Sequence, residues 1–226
     1  VKPENIAYSD FTSDTLYRDG ARRGAIDPCF PSKVVIAHIH NLIHKHHRKR
    51  PLNCIFLPMF QTLDSPLVNI LGSHACPTVT ATPQTVRAAF TKETDVFAQN
   101  KIQFLTPIVS LDDPRMLERQ MMEAWADILG LSGEENARAV DQGSQSRQRW
   151  MERIRQEARR VLELLEREQR LGIVLLGRPY HHDPGLNHGI AEEFQKRGYP
   201  VLSQSTLPLD EDLLEQLFGA EVRDQI

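Results

Sequence analysis

Two cysteines in the sequence stand where a thiol can do chemistry. Cys29 directly precedes a segment predicted to begin a helix, and Cys76 lies in a second loop and is followed by a proline. A helix N-terminus stabilises a thiolate, which is the ligand that soft metals and iron–sulfur clusters require. Because loops at strand ends converge at one edge of an α/β sheet, the two thiols are candidates for a shared site.

The spacing of the cysteines also has a simpler interpretation. No Cys-x-x-Cys pair is present, and two thiolates do not complete a four-ligand cluster. Spacing alone therefore favours the interpretation that Cys29 and Cys76 are small buried side chains and not ligands. Cys54 lies within an apolar run, and we expect it to belong to the core.

The densest polar segment is the loop at residues 177–189, between a predicted buried strand and a helix expected to begin near residue 186. Strand-to-helix loops at the carboxyl edge of a parallel sheet are common ligand sites, and a helix N-terminus favours anions. The loop has neither a Gly-x-Gly-x-x-Gly nor a P-loop motif, so anion binding and a hydrogen-bonded scaffold are both open. The candidate ligand-binding residues are Arg178, Tyr180, His181, Asp183, Asn187 and His188.

A histidine-rich segment lies between residues 38 and 47. His40 and His44 share one helical face, as zinc ligands often do, but the adjacent Lys45 and Arg48 repel a cation. We interpret the segment as a solvated helix end. The sequence contains no Gly-x-Ser-x-Gly or His-Glu-x-x-His motif, so hydrolase and metalloprotease functions have no support.

Composition narrows the class of protein. The 226 residues are 40% hydrophobic and 25% charged, with a net charge of −3, which is ordinary for a globular protein and unlike a nucleic-acid-binding domain. No apolar run approaches the ~20 residues that a membrane helix needs. Three cysteines without close pairing argue against a disulfide framework, so we expect a cytoplasmic protein.

The pattern of apolar residues predicts an α/β fold of parallel-sheet lobes joined by a long helix, with the second lobe incomplete. We assign residues 1–130 to the first lobe, 131–171 to a helical connector and 172–226 to the start of the second lobe. The predicted strands are at residues 54–58, 77–80, 102–109, 173–176 and 199–203, and the predicted helices at 31–47, 83–97, 114–129, 147–170, 186–197 and 210–218.

Four ordered motifs carry a resemblance to a known family. They are Asp-Pro-Cys-Phe-Pro-Ser-Lys-Val around Cys29, Cys-Ile-Phe-Leu-Pro-Met from Cys54, Cys-Pro-Thr-Val-Thr-Ala-Thr-Pro from Cys76, and the loop at residues 177–189. Together they resemble the activators of 2-hydroxyglutaryl-CoA dehydratase, also called CoA-substrate-specific enzyme activases. The resemblance is to their dehydratase-like segment, DUF2229, and spans nearly the whole chain.

The resemblance implies a 2-hydroxyacyl-CoA dehydratase-like module, in which Rossmann-like lobes flank a cysteine-ligated iron–sulfur cluster, of 4Fe-4S type in our expectation. Cys29 and Cys76 match family cysteines expected to be ligands. The implied function is ATP-dependent, low-potential electron transfer, with the ATP-binding activase modules of the same polypeptide as partners. We expect the chain to be a fragment that is inactive by itself and carries no intact cluster.

A second hypothesis is a noncatalytic binding or scaffold module. In that hypothesis the loop at residues 177–189 recognises an acyl-CoA, another phosphate-bearing ligand or a partner domain. Whether the chain takes part in catalysis is open at this point, and neither nucleic acid nor membrane is expected as a partner.

Overall fold

The protein, represented by a computed structural model, is described over residues 1–23, 29–63 and 73–208. The described residues form two compact units, one drawn from residues 1–63 and 74–130 and the other containing residues 131–208. Helices and parallel strand pairs alternate in both, so the predicted α/β class is confirmed, and a long helix is present. No helix within the described ranges is both long and apolar enough to cross a membrane.

The first unit contains short helices and two parallel strand pairs. Its helices are α1 (Asp14–Gly20), α2 (Phe30–Asn41), α3 (Pro77–Thr91), α4 (Val96–Gln99) and α5 (Pro114–Leu129). Helix α2 continues through a π-helical turn, Leu42–His46, and a last turn, His47–Lys49. Its strands are β1 (Cys54–Phe56), β2 (Met59–Thr62), β3 (Gln103–Leu105) and β4 (Ile108–Ser110).

Prolines divide the parallel ladder of the first unit. Strand β1 pairs with β3 and strand β2 with β4, and bonds from the Leu57 N–H to the Leu105 carbonyl and from the Met59 N–H to the Pro107 carbonyl link the two pairs. A proline lacks the N–H that a ladder needs, so the predicted strand at residues 102–109 becomes two short strands on either side of Pro107.

The core of the first unit lies between helices α2 and α3 and the first strand pair. Ile36, Val86 and Phe90 are fully buried there, and the Phe97 and Phe104 rings stack with centroids 4.3 Å apart. Burial of these side chains is the main force holding both helices against the strands.

One predicted strand is a helix in the structure. Residues 77–80 form the first turn of α3, which begins six residues before the helix predicted at 83–97 and is separate from α4. Pro77 suits a first helical position, and the Thr82 hydroxyl donates to the Thr78 carbonyl within the helix. The proline at the first position and this intrahelical bond therefore outweigh the strand propensity of Val79 and the threonines.

The second unit contains α6 (Gly133–Arg167), β5 (Ile173–Leu175), α7 (Ile190–Lys196) and β6 (Val201–Ser203), with β5 and β6 parallel. Helix α6 begins at a capping box between Ser132 and Glu135, well before the start predicted at residue 147. The predicted helix at residues 210–218 lies outside the described residues.

Candidate functional site

Cys29 and Cys76 each lie immediately before a helix of the first unit. Cys29 is the N-cap of α2, whose first turn contains Pro31, and Cys76 is the N-cap of α3, which begins with Pro77. Both thiols are half-buried, and neither side chain caps its helix by a hydrogen bond. The partial positive charge of each helix end therefore acts on a thiol.

Helices α2 and α3 are joined close to these N-terminal ends. Ser32 is the third residue of α2 and Thr82 the sixth of α3, and their buried Oγ atoms are hydrogen-bonded at 3.1 Å. At a rise of ~1.5 Å per residue, this bond is about 5 Å along the axis from Cys29 and about 9 Å from Cys76. Each cysteine thus lies within two helical turns of the bond that joins the two helices.

The Cys76 loop is also fixed to the strands. The Ala75 N–H donates to the Gln61 carbonyl at 2.9 Å, and the Thr80 hydroxyl donates to the Phe60 carbonyl at 2.6 Å. These bonds place Cys76 beside the carboxyl end of β2. In parallel sheets this is the edge where ligands bind.

Cys54 differs from the other two cysteines. It begins strand β1 opposite Gln103, and burial raises the pKa of its thiol. It is half-buried rather than fully enclosed, so the expectation of a core cysteine is met only in part. A raised pKa disfavours the thiolate, which makes Cys54 a suitable control for the two helix-end cysteines.

The metal-ligating side chains do not form a complete site among the described residues. Within residues 1–23, 29–63 and 73–208, no group of three or more His, Cys, Asp and Glu side chains is arranged to hold a metal ion. The two thiols fit an iron–sulfur cluster by their chemistry and by their helix-end positions. Two cysteines supply half of the usual four protein ligands.

The loop at residues 177–189 is organised by its own hydrogen bonds. The Asp183 carboxylate accepts from the Gly185 and Leu186 N–H groups at 2.9 and 3.1 Å. Buried Asn187 donates from its side-chain amide to the His181 carbonyl and accepts from the Gly189 N–H. Asp183 and Asn187 therefore shape the turn, and their predicted contact with a ligand stays a prediction.

The predicted helix after this loop begins later than expected. Helix α7 starts at Ile190 instead of near residue 186, because residues 183–189 form turns and Gly189 has a left-handed φ of +71°. A seven-residue helix has a weak dipole and makes no anion site of its own. The expected contribution of a helix N-terminus to this loop is therefore wrong.

Sequence reasoning missed the side chains at the end of β6. His182 Nε2 lies 2.8 Å from Ser203 Oγ and 2.9 Å from Ser205 Oγ. Ser203 ends the second strand of a parallel pair and Ser205 follows it, as the 177–189 loop follows the first strand, and that position was the available signal. A cleft of about 520 Å³ lies between the two strand-end loops.

The histidine-rich end of α2 is stabilised by contacts within its own unit. Asp10 bonds the side chains of Asn41, Lys45 and His46. These bonds, that of Lys45 foremost, hold the pKa of the Asp10 carboxyl well below its usual range. Such contacts fit the interpretation of this segment as a helix end.

Comparison with known proteins gives one family. A family model described as the CoA enzyme activase uncharacterised domain (DUF2229) matches residues 4–207. No match was found among curated proteins or among solved structures.

Proposed function

We propose, from the premise that the chain belongs to the CoA enzyme activase uncharacterised domain family, that it is the iron–sulfur module of an ATP-dependent electron-transfer protein. Cys29 and Cys76 are two of the cluster ligands in this proposal. The observation that carries it is the position of both cysteines at helix N-termini that are joined by the Ser32–Thr82 hydrogen bond.

The chain's own residues prepare the thiols for this role. Helix N-termini suit thiolate ligands, and Cys29 and Cys76 each lie where a helix begins. Pro31 and Pro77 fix the backbone of the two first turns. A bound cluster would supply one-electron transfer at low potential.

The remaining ligands and the source of electrons lie outside this pair of cysteines. The chain belongs to an activase family. In this proposal the ATP-binding activase modules of the same polypeptide donate the electrons. ATP hydrolysis would then drive electrons to the cluster, for use in reducing or dehydrating a CoA-linked substrate.

The function is tested on the natural gene product, purified without oxygen. Its cluster absorption should bleach when ATP and a low-potential reductant are added together, and much less with either alone. The Cys29→Ser and Cys76→Ser variants should lose this response, and Cys54→Ser should keep it. A wild-type protein with no visible absorption would contradict the proposal.

A further inference from the structure

The cleft of the second unit lies at the carboxyl ends of β5 and β6. One wall is the loop after β5, with Arg178, His182 and His188, and the other is the segment after β6, with Ser203 and Thr206. Both strands run in parallel, so their following loops meet at this edge. All residues that line the cleft belong to the second unit.

His182 connects the two walls. Its Nε2 is within hydrogen-bond distance of the hydroxyls of Ser203 and Ser205, which are themselves 3.2 Å apart. Thr206 fixes this segment by accepting from the Ser203 N–H and donating to the Ser203 carbonyl. Three polar side chains therefore converge at one point, where an oxygen of a ligand can replace one of the hydrogen bonds that they make to one another.

The charge of the cleft favours an anion. Arg178, His181, His182 and His188 line it, and no carboxylate does so among the described residues. The His181 Nδ1 accepts from the Arg178 N–H at 3.1 Å, which leaves the Nε2–H of the neutral ring as a donor. Asp183, the acid of this loop, is turned to backbone N–H groups.

The cleft also has apolar lining residues. Leu175, Leu186, Ile190 and Val201 line it together with the polar groups. A site that combines convergent donors with aliphatic side chains suits a ligand with an anionic group and a less polar body.

We infer that this cleft binds a phosphoryl group, with Arg178, His182 and the Ser203 hydroxyl as its donors and with Ser205 holding His182 and Ser203 in position. A phosphoryl group offers three oxygens that accept in different directions, which matches donors arriving from two loops. The aliphatic side chains that line the cleft contact the organic part of the phosphate ester. Free phosphate, a nucleotide and a phosphopantetheine all present this chemistry.

The inference is tested by titrating the 226-residue chain with inorganic phosphate, followed by ³¹P NMR. Adenosine 5′-phosphate and 4′-phosphopantetheine, added as competitors, distinguish the sources of the phosphoryl group. The variants are Arg178→Gln, His182→Asn and Ser205→Ala. The matched controls change the same residue types outside the cleft lining. They are Arg197→Gln, which removes the ion pair of Arg197 with Glu193, and Ser144→Ala in helix α6.

Saturable phosphate binding should weaken by about tenfold or more in Arg178→Gln and His182→Asn, as expected for loss of a charge-assisted hydrogen bond. Binding in both controls should match the wild type, and a competitor with an organic body should bind more tightly than phosphate. Absence of saturable binding, or equal binding in wild type and variants, would overturn the inference. Circular dichroism checks that each variant is folded. If His182→Asn does not fold, Ser205→Ala tests the inference in its place, with a several-fold loss of phosphate affinity expected.

Discussion

The Oγ atoms of Ser32 and Thr82 lie 3.1 Å apart in the buried contact between helices α2 and α3. This hydrogen bond joins segments that are 50 residues apart in the chain. It lies within two helical turns of both Cys29 and Cys76, so the relative position of the two thiols depends on it.

Replacing Thr82 by valine should destabilise the first unit by about 1–2 kcal/mol. Valine keeps the shape of threonine but leaves the Ser32 hydroxyl without its Thr82 partner in a buried contact. Urea unfolding measures the change. Thr91→Val is the matched control, because the Thr91 hydroxyl bonds the Arg87 carbonyl on the exposed end of the same helix. An equal loss in both variants would mean that the interhelical bond contributes nothing specific.

Two glycine-to-alanine substitutions should have opposite effects on stability. A Cβ at Gly20 would lie 2.3 Å from Ala37 Cα, where α1 packs on α2, so Gly20→Ala should destabilise by ~1–3 kcal/mol. A Cβ at Gly143 meets nothing within 4 Å in the exposed middle of α6. Gly143→Ala should therefore stabilise the helix by ~0.5–1 kcal/mol. Thermal unfolding of both variants tests the close helix contact and the continuity of α6.

Stability should fall as the pH is lowered from about 6.5 to 4. Burial, followed by repulsion from His40, Arg23 and Arg48, lowers the pKa of His44 to about 4. An unfolded histidine titrates near 6.5, so the unfolded chain binds more protons throughout this window. Urea midpoints at several pH values should decline less in His44→Gln than in wild type.

Asp10 should affect the stability of the folded chain in a separate and more acidic pH range. Hydrogen bonds, first from Lys45 and then from Asn41, hold the pKa of its carboxyl below the usual range. Its contribution to stability is therefore present above the unfolded pKa of ~4 and is lost below it.

A decline in the urea midpoint between pH 6.5 and 4.5 that is the same in wild type and His44→Gln would exclude His44 as its cause.

The 226-residue chain should contain no intact cluster when it is purified in air. Only two candidate cysteine ligands are present, and a cluster with open coordination sites is readily oxidised. Iron analysis and a visible absorption spectrum measure this directly. A brown preparation with a stable visible band and stoichiometric iron would contradict the prediction.

Sequence patterns located helices with strong end signals and failed where hydrogen bonds within a loop decide the start of a helix. Helix α5 was predicted at residues 114–129 and is found there, because Asp113 caps its start and Gly130 ends it in a left-handed conformation. The late start of α7 depends on turn bonds that involve Asp183 and Asn187. Hydrophobic periodicity carries no information about such bonds.

In both candidate sites, the sequence pointed to reactive residues but not to the contacts that they make. Cys29 and Cys76 were identified from their types and neighbours, but the Ser32–Thr82 bond that relates them joins residues far apart in sequence. The contact of His182 with Ser203 spans 21 residues and was likewise not predicted. Single-sequence reasoning finds residues able to do chemistry and leaves their partners to tertiary packing.

The central claim is that Cys29 and Cys76 hold one iron–sulfur cluster, and its most direct test is the iron and acid-labile sulfide content of the natural gene product purified without oxygen. Wild type and Cys54→Ser should contain iron and sulfide in equal, stoichiometric amounts. Cys29→Ser and Cys76→Ser should each lose most of both while remaining folded. Unchanged iron and sulfide in these two variants, or none in the wild type, would contradict the claim.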